Sequence, residues 1–468
     1  MRRMMRVHSW MVLWALAAST ANTAAQTPGS VTKAPSVAQV FRDDALEILW
    51  VAHAGEHRGD QYGWQCEAIG DLDGDGASEV VTSAPFSNRS GPGRHGKAFV
   101  FDGSTGEALK ELAGQRSGGG FGFRLHAAGD FDGDDTPDYL VTEAGIQGQT
   151  VPDQTGPGFR GYVHLYSGRT HEALLTLEGP DPAGRFGMAV SMLPDLDGDD
   201  RMEIIAGACQ SNLGGERSGA AYIFGRGGAI LRTHTVEAAG SLFGNGITRI
   251  DDITGDGVDD YAIAAFGEGP TRQGRVHVFD GAGGHQLYVI DPSRYARGKT
   301  AVDFGRFFLS LAGDVDGDGV SELYIGDWFD RSAGNITGRV WAISTAVPKD
   351  GVPAKLIRTI DGQSANEWLG FGRGFPDVDG DGCAELLICS NGHEGFSGAV
   401  GLYSGRTGKR LRWIASSQPG HLFGYDACSP GDLNGDGLPD IIVTAAGAQG
   451  DGEGRFGSTY AIEGLDHR

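Results

Sequence analysis

Cysteine is scarce in this sequence, with five residues among 468. They are Cys66, Cys209, Cys383, Cys389 and Cys428. Exported domains that depend on disulfide bonds usually carry a much higher density of cysteine. None of the five forms a CxxC pair of the kind that binds zinc. We therefore interpret them as small buried thiols, although the sequence does not define any pairing among them.

Positive charge is also in short supply. Lysine and arginine total 38 against 61 aspartate and glutamate residues, which gives a formal net charge of −23. A chain of this sign repels a phosphate backbone. The composition therefore excludes a nucleic-acid-binding protein.

Long apolar runs are lacking beyond the N-terminus. The chain begins with basic residues, including Arg2 and Arg3, continues with an apolar run over 10–18, and reaches small residues that end at Ala25. This order predicts a signal peptide over residues 1–25 and export to a secreted or periplasmic location. The apolar run is about half the length that a membrane span needs. We therefore expect no membrane span after cleavage.

Glycine, by contrast, is abundant, with 79 residues. Many of them belong to a pattern that recurs about every 60 residues: an aromatic-Gly pair, a strand, an acidic loop, a β-branched strand, a variable loop and a Gly-led strand. Four short strands with their turns fill such a repeat, which is the size of one propeller blade. The seven acidic loops span 71–79, 130–138, 195–203, 252–260, 314–322, 377–385 and 432–440.

The repeat predicts an all-β fold, a seven-bladed β-propeller of four-stranded antiparallel blades over 43–468, preceded by a short linker over 26–42. The last repeat ends on its third strand, near Gly464. The segment 45–52 is spaced from the first aromatic-Gly pair as the other fourth strands are spaced from theirs. We therefore expect this N-terminal strand to complete the last blade and close the ring, which removes an unpaired sheet edge.

The acidic loops read D-x-(D/N/T)-x-D-(G/D)-x-x-(D/E). Alternate side chains of a tightly wound loop point to one side, so oxygens at positions one, three, five and nine converge with the position-seven carbonyl. Oxygen-only ligation of this kind favours calcium, and we expect up to seven ions. The predicted ligands, including the position-seven residues, are Asp71, Asp73, Asp75, Ala77, Glu79, Asp130, Asp132, Asp134, Thr136, Asp138, Asp195, Asp197, Asp199, Arg201, Glu203, Asp252, Thr254, Asp256, Val258, Asp260, Asp314, Asp316, Asp318, Val320, Glu322, Asp377, Asp379, Asp381, Cys383, Glu385, Asp432, Asn434, Asp436, Leu438 and Asp440.

The acidic loops fit neither the EF-hand pattern nor a set of isolated solvated turns. An EF-hand needs an acidic residue at position twelve and flanking helices, whereas position twelve here holds Thr82 in the first loop and Val443 in the last, within predicted strands. Solvated Asp-Gly turns would explain one loop but not seven copies of the pattern. Thr254 and Asn434 replace the acid at position three, so we expect weaker binding in those loops.

The Phe-Gly pairs, such as Phe121-Gly122, the acidic loops and strand-two endings such as Ser83-Ala84-Pro85 are similar to the FG-GAP repeats of the integrin α-subunit headpiece. The resemblance covers about 43–468 and implies a seven-bladed propeller with calcium between strands one and two. This sequence departs from that family in carrying a calcium loop in every blade, and we expect no leg domains or membrane anchor after the propeller. Heterodimer formation and cell-surface signalling are therefore not carried over.

Loops between strands two and three leave the face opposite the calcium loops, and six of the seven carry an arginine. Such a basic rim predicts a binding site for an acidic carbohydrate or an extracellular protein, through bidentate contacts and aromatic stacking. The alternative is that these arginines bridge blades or are simply solvated. The predicted ligand-binding residues are Arg89, Arg94, Arg160, Arg217, Arg272, Trp328, Arg331 and Arg455.

No catalytic residue is assigned, because the chain has no GxSxG nucleophile turn and no HExxH helix. We favour a secreted calcium-binding module for adhesion, binding or scaffolding. The alternative is an extracellular carbohydrate-active hydrolase or lyase, for which Asp327 and Asp330 are candidate carboxylates. The tripeptide Arg58-Gly59-Asp60 looks like an integrin-recognition sequence, and we interpret it as a chance match.

Overall fold

The computed structural model describes residues 30–31, 40–42, 46–87, 95–145, 159–295, 303–349, 351–448 and 456–464. The predicted signal peptide over 1–25 lies outside these residues. Within the described part, no helix is both long and apolar enough to cross a membrane.

Within the described residues, the strands form seven antiparallel sheets, and each sheet is one blade. β1 (Ser30–Val31) and β2 (Ile48–His53) precede blade 1, which contains β3 (Cys66–Gly70), β4 (Glu79–Ala84), β5 (Lys97–Phe101) and β6 (Ala108–Ala113). Blade 2 contains β7 (Phe121–Gly129), β8 (Asp138–Glu143), β9 (Tyr162–Tyr166) and β10 (Ala173–Glu178). Blade 3 contains β11 (Phe186–Leu193), β12 (Glu203–Ala208), β13 (Ala220–Phe224) and β14 (Ile230–Thr235).

The remaining blades repeat this arrangement. Blade 4 contains β15 (Phe243–Arg249), β16 (Tyr261–Ala265), β17 (Arg275–Phe279) and β18 (Gln286–Ile290). Blade 5 contains β19 (Leu309–Gly313), β20 (Glu322–Asp327), β21 (Arg339–Ser344) and β22 (Leu356–Asp361). Blade 6 contains β23 (Leu369–Phe375), β24 (Glu385–Ser390), β25 (Ala399–Tyr403) and β26 (Arg410–Ala415). Blade 7 contains β27 (Phe423–Gly431), β28 (Asp440–Ala445) and β29 (Ser458–Ile462), and short helical turns lie at Arg58–Asp60, Pro292–Arg294 and His393–Phe396.

The four strands of a blade differ in burial because of their place in the ring. In blade 1 every residue of β4 and β5 is buried, whereas most of β6 is exposed or half-buried. The first strands pack against the first strands of both neighbouring blades, from β3 through β27 and back to β3. First strands therefore line the axis. The second and third strands are covered on each face by a neighbouring blade, which favours their apolar composition.

The aromatic-Gly pair and the glycine before strand three meet at the boundary between blades. Gly96 of blade 1 bridges Phe121 of blade 2, and Phe121 donates its backbone N–H to the His95 carbonyl at 2.9 Å. A Cβ on Gly96 would lie 2.4 Å from the Phe121 nitrogen, and Gly96 has a φ of 85°. Both the space and the backbone conformation therefore require glycine here.

The ring closes as predicted. β2 pairs antiparallel with β29 and supplies the fourth strand of blade 7, with Val51 opposite Tyr460. The observed strand, Ile48–His53, begins three residues later and ends one residue later than the predicted segment 45–52.

Of the predicted linker over 26–42, the structure describes residues 30–31 and 40–42, and these contact the propeller. Ser30 and Val31 form a fifth strand on the outer edge of β2. Phe41 is buried and packs edge-on against Phe423 and Tyr460, at ring-centroid distances of 4.9 and 5.3 Å. Phe41 therefore contributes to the hydrophobic core of blade 7.

Candidate metal sites in the seven acidic loops

A frame of backbone hydrogen bonds holds each acidic loop. In blade 1, the Asp71 carboxylate accepts from Gly74 N at 2.6 Å and from Gly76 N at 2.9 Å. Glu79, the first residue of β4, accepts from Leu72 N at 2.5 Å. The first and ninth side chains thus fold the loop around themselves.

The same frame recurs in all seven loops. Position one accepts from the backbone N–H groups of positions four and six, and position nine accepts from that of position two. The position-seven N–H donates to the position-five carboxylate in every loop, and these donors are Ala77, Thr136, Arg201, Val258, Val320, Cys383 and Leu438. Seven separate sequences therefore adopt one loop conformation.

Positions four and six require the left-handed backbone region. Glycine occupies position four in every loop, and Gly74 has a φ of 84°. Position six is aspartate in two loops, where Asp135 and Asp200 adopt φ values of 65° and 63°. Aspartate tolerates this conformation better than most side chains, which explains why it can replace glycine there.

The loops bring their acidic side chains together. In blade 3, carboxylate oxygens of Asp195, Asp197, Asp199 and Glu203 lie within 4.8 Å of one another. Clusters of this kind also include Asp71, Asp73 and Glu79; Asp130, Asp132 and Asp138; and Asp314, Asp316 and Glu322. These all-oxygen groups have the donor chemistry that a hard divalent cation needs.

The residue at position nine divides the loops into two classes, glutamate and aspartate, which the sequence pattern grouped together. Where it is glutamate, one carboxylate oxygen is bonded to the position-two N–H and the other is buried without a hydrogen-bond partner among the described residues. The unpartnered atoms are Glu79 Oε1, Glu203 Oε1, Glu322 Oε1 and Glu385 Oε2. An orphaned, buried carboxylate oxygen is costly, and a bound cation would satisfy it.

The position-nine aspartates have both oxygens occupied. Asp440, for example, accepts from Leu433 N and Gly464 N, each at 2.8 Å. Asp138 and Asp260 make the equivalent second bond with Gly168 N and Gly281 N. In these three loops the carboxylate therefore accepts one hydrogen bond from the loop itself and one from the backbone just after strand three.

Burial controls the protonation of the position-nine glutamates. It raises the pKa of Glu203 to about 7, and the nearby Asp197 and Asp195 carboxylates raise it further, against the lowering effect of the Leu196 N–H bond. The pKa values of Glu79, Glu322 and Glu385 are likewise raised to about 7, first by burial. Without a cation, these groups resist ionisation.

In three of the loops, a basic side chain pairs with a predicted ligand carboxylate. Arg169 Nε lies 2.7 Å from Asp134 Oδ2 in blade 2, and Arg406 Nε lies 3.2 Å from Asp381 Oδ2 in blade 6. In blade 5, Lys355 Nζ lies 2.9 Å from an Asp316 oxygen and 3.3 Å from an Asp318 oxygen and would compete with a cation for these acids. Blade 1 has the opposite arrangement, because Asp102 joins Asp73 and Asp75 in an acidic group.

These neighbours were missed by the sequence analysis. Arg169, Arg406 and Asp102 come from the turns between strands three and four, and Lys355 lies just before β22. Their positions in the repeat are regular, so the turn that follows strand three could have been searched for charged residues. The pairing itself depends on the two turns emerging at the same end of the blade.

Only some of the arginines in the predicted basic rim are available to contact a ligand. Arg217 and Arg331 are exposed. Arg160 pairs with Glu178 of its own blade at 2.9 Å, and Arg272 donates to the Gly240 carbonyl at 3.1 Å, so both of these side chains are engaged in contacts within the protein. Arg89, Arg94 and Arg455 lie outside the described residues.

Trp328 does not fit its predicted role in stacking on a ligand. It is 2% exposed and packs against Phe329, Trp368 and Phe371, with ring-centroid distances of 4.4, 5.8 and 4.8 Å. A ring of this size follows β20 directly, where an apolar pocket between blades 5 and 6 is available. It therefore contributes to the core and not to the surface.

The candidate glycosidase carboxylates are also buried. Asp330 is 0% exposed and accepts from Ser332 N at 2.7 Å and Ser332 Oγ at 3.0 Å. Asp327, equally buried, accepts from Asp303 N at 3.2 Å. Both side chains hold loop backbone, which does not support a role in attacking a sugar.

The tripeptide Arg58–Asp60 forms a 3₁₀ turn that hides its carboxylate. Asp60 is 2% exposed and accepts from Glu56 N at 3.0 Å and His57 N at 2.9 Å. Burial raises the pKa of Asp60 to about 6, against the lowering effect of these hydrogen bonds. The carboxylate caps a turn and is not presented to a partner.

A half-buried ionic network on the axis was not predicted from the sequence. Arg373 of β23 pairs with Glu67 of β3 at 2.5 Å and with Asp426 of β27 at 3.0 Å. Asp426 also accepts from Cys66 N at 3.1 Å. Blades 6, 7 and 1 are therefore joined by charged groups at the point where the ring closes.

Comparisons with known proteins agree with this architecture. The FG-GAP-like repeat family matches residues 377–443, which contain the acidic loops of blades 6 and 7. Integrin alpha-4 of Xenopus laevis is 32% identical over 197 residues, covering 40% of this chain and 18% of that protein. Integrin alpha-5 of Xenopus laevis is 27% identical over 219 residues, covering 44% and 20%. Integrin alpha-IIb of Mus musculus is 29% identical over 215 residues, covering 43% and 19%, so the chain spans about a fifth of the length of these relatives.

Proposed function

We propose that this FG-GAP repeat protein, whose propeller is similar to that of integrin α-subunits, is an exported calcium-binding module that binds an extracellular protein or an acidic carbohydrate. The propeller similarity supports a role in adhesion or binding. The predicted signal peptide supports export, and the repeated acidic loops support calcium as the bound ion.

The orphaned oxygen of the position-nine glutamate carries the calcium assignment. In blade 3, Glu203 Oε2 is held by Leu196 N at 2.7 Å, while Oε1 is buried without a partner in the described part of the chain. The same carboxylate lies in the cluster formed with Asp195, Asp197 and Asp199. A cation with all-oxygen ligation would neutralise the cluster and satisfy this atom together.

Calcium has a structural role in this proposal. Each loop joins the innermost strand of a blade to the next one, so an ion there ties two strands at the centre of the ring. The carboxylates of an ion-free loop repel one another at these separations. Ion binding removes that repulsion, and saturated oxygen ligation leaves no open position for activating a substrate.

The binding face is the one opposite the calcium loops. Arg217 and Arg331, both exposed, lie on the loops between strands two and three of blades 3 and 5. Their guanidinium groups suit a carboxylate or sulfate, which they can hold through two parallel hydrogen bonds. Exposed Leu213 on the same blade 3 loop adds an apolar contact.

Two measurements test the proposal. Equilibrium dialysis of the metal-free full chain against millimolar calcium should give several bound ions per chain and up to seven, and no bound ion would overturn the calcium assignment. The calcium-loaded protein should then bind sulfated or uronic-acid glycans on an array, or an acidic protein in a pull-down with purified candidates. If the protein binds calcium but none of these ligands, the scaffold role remains and the acidic-ligand role is excluded.

A further inference from the structure

Cys66 and Cys428 meet where the first and last blades close the ring. Cys66 opens β3 opposite Thr82, and Cys428 lies on β27 opposite Ile442. Their Sγ atoms are 3.8 Å apart, and the two residues are 0% and 3% exposed. β3 and β27 are the innermost strands of blades 1 and 7 and are in direct contact.

We propose that Cys66 and Cys428 form a disulfide bond that joins blade 1 to blade 7 covalently. A disulfide has an S–S length of about 2 Å, so the sulfur atoms need to approach by a little under ~2 Å to form the bond. This assignment departs from the interpretation of all five cysteines as isolated thiols. It also explains why two thiols occupy adjacent inner strands on either side of the ring closure.

The local contacts hold the two strands in place for this bond. Cys66 N donates to Asp426 Oδ2 at 3.1 Å, and Arg373 binds the same Asp426 carboxylate at 3.0 Å. Asp426 lies two residues before Cys428 on β27. The hydrogen bond and the ion pair therefore set the relative position of the two cysteine backbones independently of the sulfur atoms.

The bond forms by exchange with a small disulfide such as oxidised glutathione. The thiolate of one cysteine attacks a sulfur of the donor, which releases one glutathione thiolate and leaves a mixed disulfide. The thiolate of the second cysteine attacks the protein sulfur of that mixed disulfide and releases the second glutathione. The two cysteines lose two protons and two electrons in total, and the donor becomes two thiols.

Burial determines when this exchange takes place. Inside the closed ring, burial raises the pKa of the Cys66 thiol well above its ordinary value, and the neighbouring Cys428 raises it further. A donor molecule also has no access to either sulfur. Oxidation therefore takes place while the interface between blades 1 and 7 is still open during folding, and the finished bond is protected from reductants.

Cys389 is the competing partner. It is buried on β24 of blade 6, a strand that contacts β27. Cys209 and Cys383, also buried, lie in blades 3 and 6 and provide control positions. The pairing with Cys66 is favoured because the two sulfurs are already at contact distance.

The experiment refolds the full chain from denaturant in calcium, either with a mixture of oxidised and reduced glutathione or with a reductant alone. Free thiols are then alkylated under denaturing conditions, and proteolytic peptides are identified by mass spectrometry. We expect the redox mixture to protect two thiols per chain, to yield the peptide pair containing Cys66 and Cys428, and to raise the Tm by several degrees.

Variants separate the possible pairings. Cys66→Ser and Cys428→Ser should each abolish both the linked peptide and the difference in Tm between the two refolding conditions. Cys389→Ser and Cys209→Ser should keep both. Five alkylated thiols after oxidative refolding of the parent chain, or a linked peptide containing Cys389, would overturn the proposal. None of these readouts depends on ligand binding, so their failure leaves the proposed function intact.

Discussion

Val51 on β2 lies directly opposite Tyr460 on β29, so the N-terminal strand is the outer strand of the last blade. Both residues are buried, and their neighbours His53 and Ser458 are joined by a side-chain hydrogen bond of 2.8 Å. The ring is thus closed by backbone pairing between the two ends of the described chain.

Val51→Ala should lower the free energy of unfolding by about 2 kcal/mol, because it removes buried methyl groups at the ring closure. Val289→Ala is the matched control, since Val289 lies on the fourth strand of blade 4 and is 36% exposed. That variant should change stability by less than about 0.5 kcal/mol. Urea denaturation of both proteins measures the difference, and equal effects would contradict a buried closing strand.

Gly96→Ala should destabilise the protein by about 3 kcal/mol, because the added Cβ meets Phe121 backbone and Gly96 has a positive φ. Gly227→Ala is the control, since a Cβ there would meet nothing within 4 Å. Thermal melts compare the two variants. A tolerated Gly96→Ala would show that adjacent blades do not need this close approach.

Glu203→Gln should remove the calcium-dependent stabilisation of one loop. A site with a dissociation constant of about 10⁻⁴–10⁻³ M contributes roughly 0.4–1.4 kcal/mol at millimolar calcium. Asp200→Asn removes a charge from the same loop at position six, outside the predicted ligand set, and should retain most of the calcium effect. The measurement is the difference in unfolding free energy with and without calcium, and equal losses in both variants would indicate nonspecific charge screening.

The calcium-free protein should become less stable as the pH rises from about 4.5 to about 7. Burial raises the pKa of the Glu79, Glu203, Glu322 and Glu385 carboxyls from 4.5 to about 7. In this window the folded chain holds protons that the unfolded chain has released, so their loss on raising the pH favours unfolding.

Calcium should reverse this trend, because it binds the ionised carboxylates and is released as they are protonated. Denaturation curves at several pH values, in metal-free buffer and in calcium, measure both effects. The stabilisation by calcium should grow as the pH rises through this range. A calcium-free stability that does not change with pH would contradict the raised pKa values.

Replacing Arg217 and Arg331 together with alanine should weaken binding of an acidic glycan at least tenfold at low salt, with no change in Tm. Arg226→Ala and Lys409→Ala form the control pair, because these exposed side chains lie in turns on the face that carries the acidic loops. Surface plasmon resonance against a sulfated glycan compares the two double variants. Equal losses would show that binding depends on overall charge and not on the rim.

Local sequence patterns predicted much of the architecture of this protein. Seven copies of the acidic loop predicted the number of blades and the loop conformation, because the side chains at positions one and nine bond mainly to backbone within a few residues of themselves. The missing last strand and the spare segment near Val51 predicted the ring closure, since an unpaired sheet edge is costly.

Contacts between distant segments were decided only by the tertiary structure. The sequence assigned Trp328 to a binding surface, whereas the packing of blades 5 and 6 buries it. It also gave no sign that Lys355 reaches the Asp316 carboxylate or that Cys66 touches Cys428, because the first pair meets only when a blade has folded and the second only when the ring has closed. A repeat defines its own loops through short-range hydrogen bonds, but which side chains meet across strands and blades depends on how the closed ring packs.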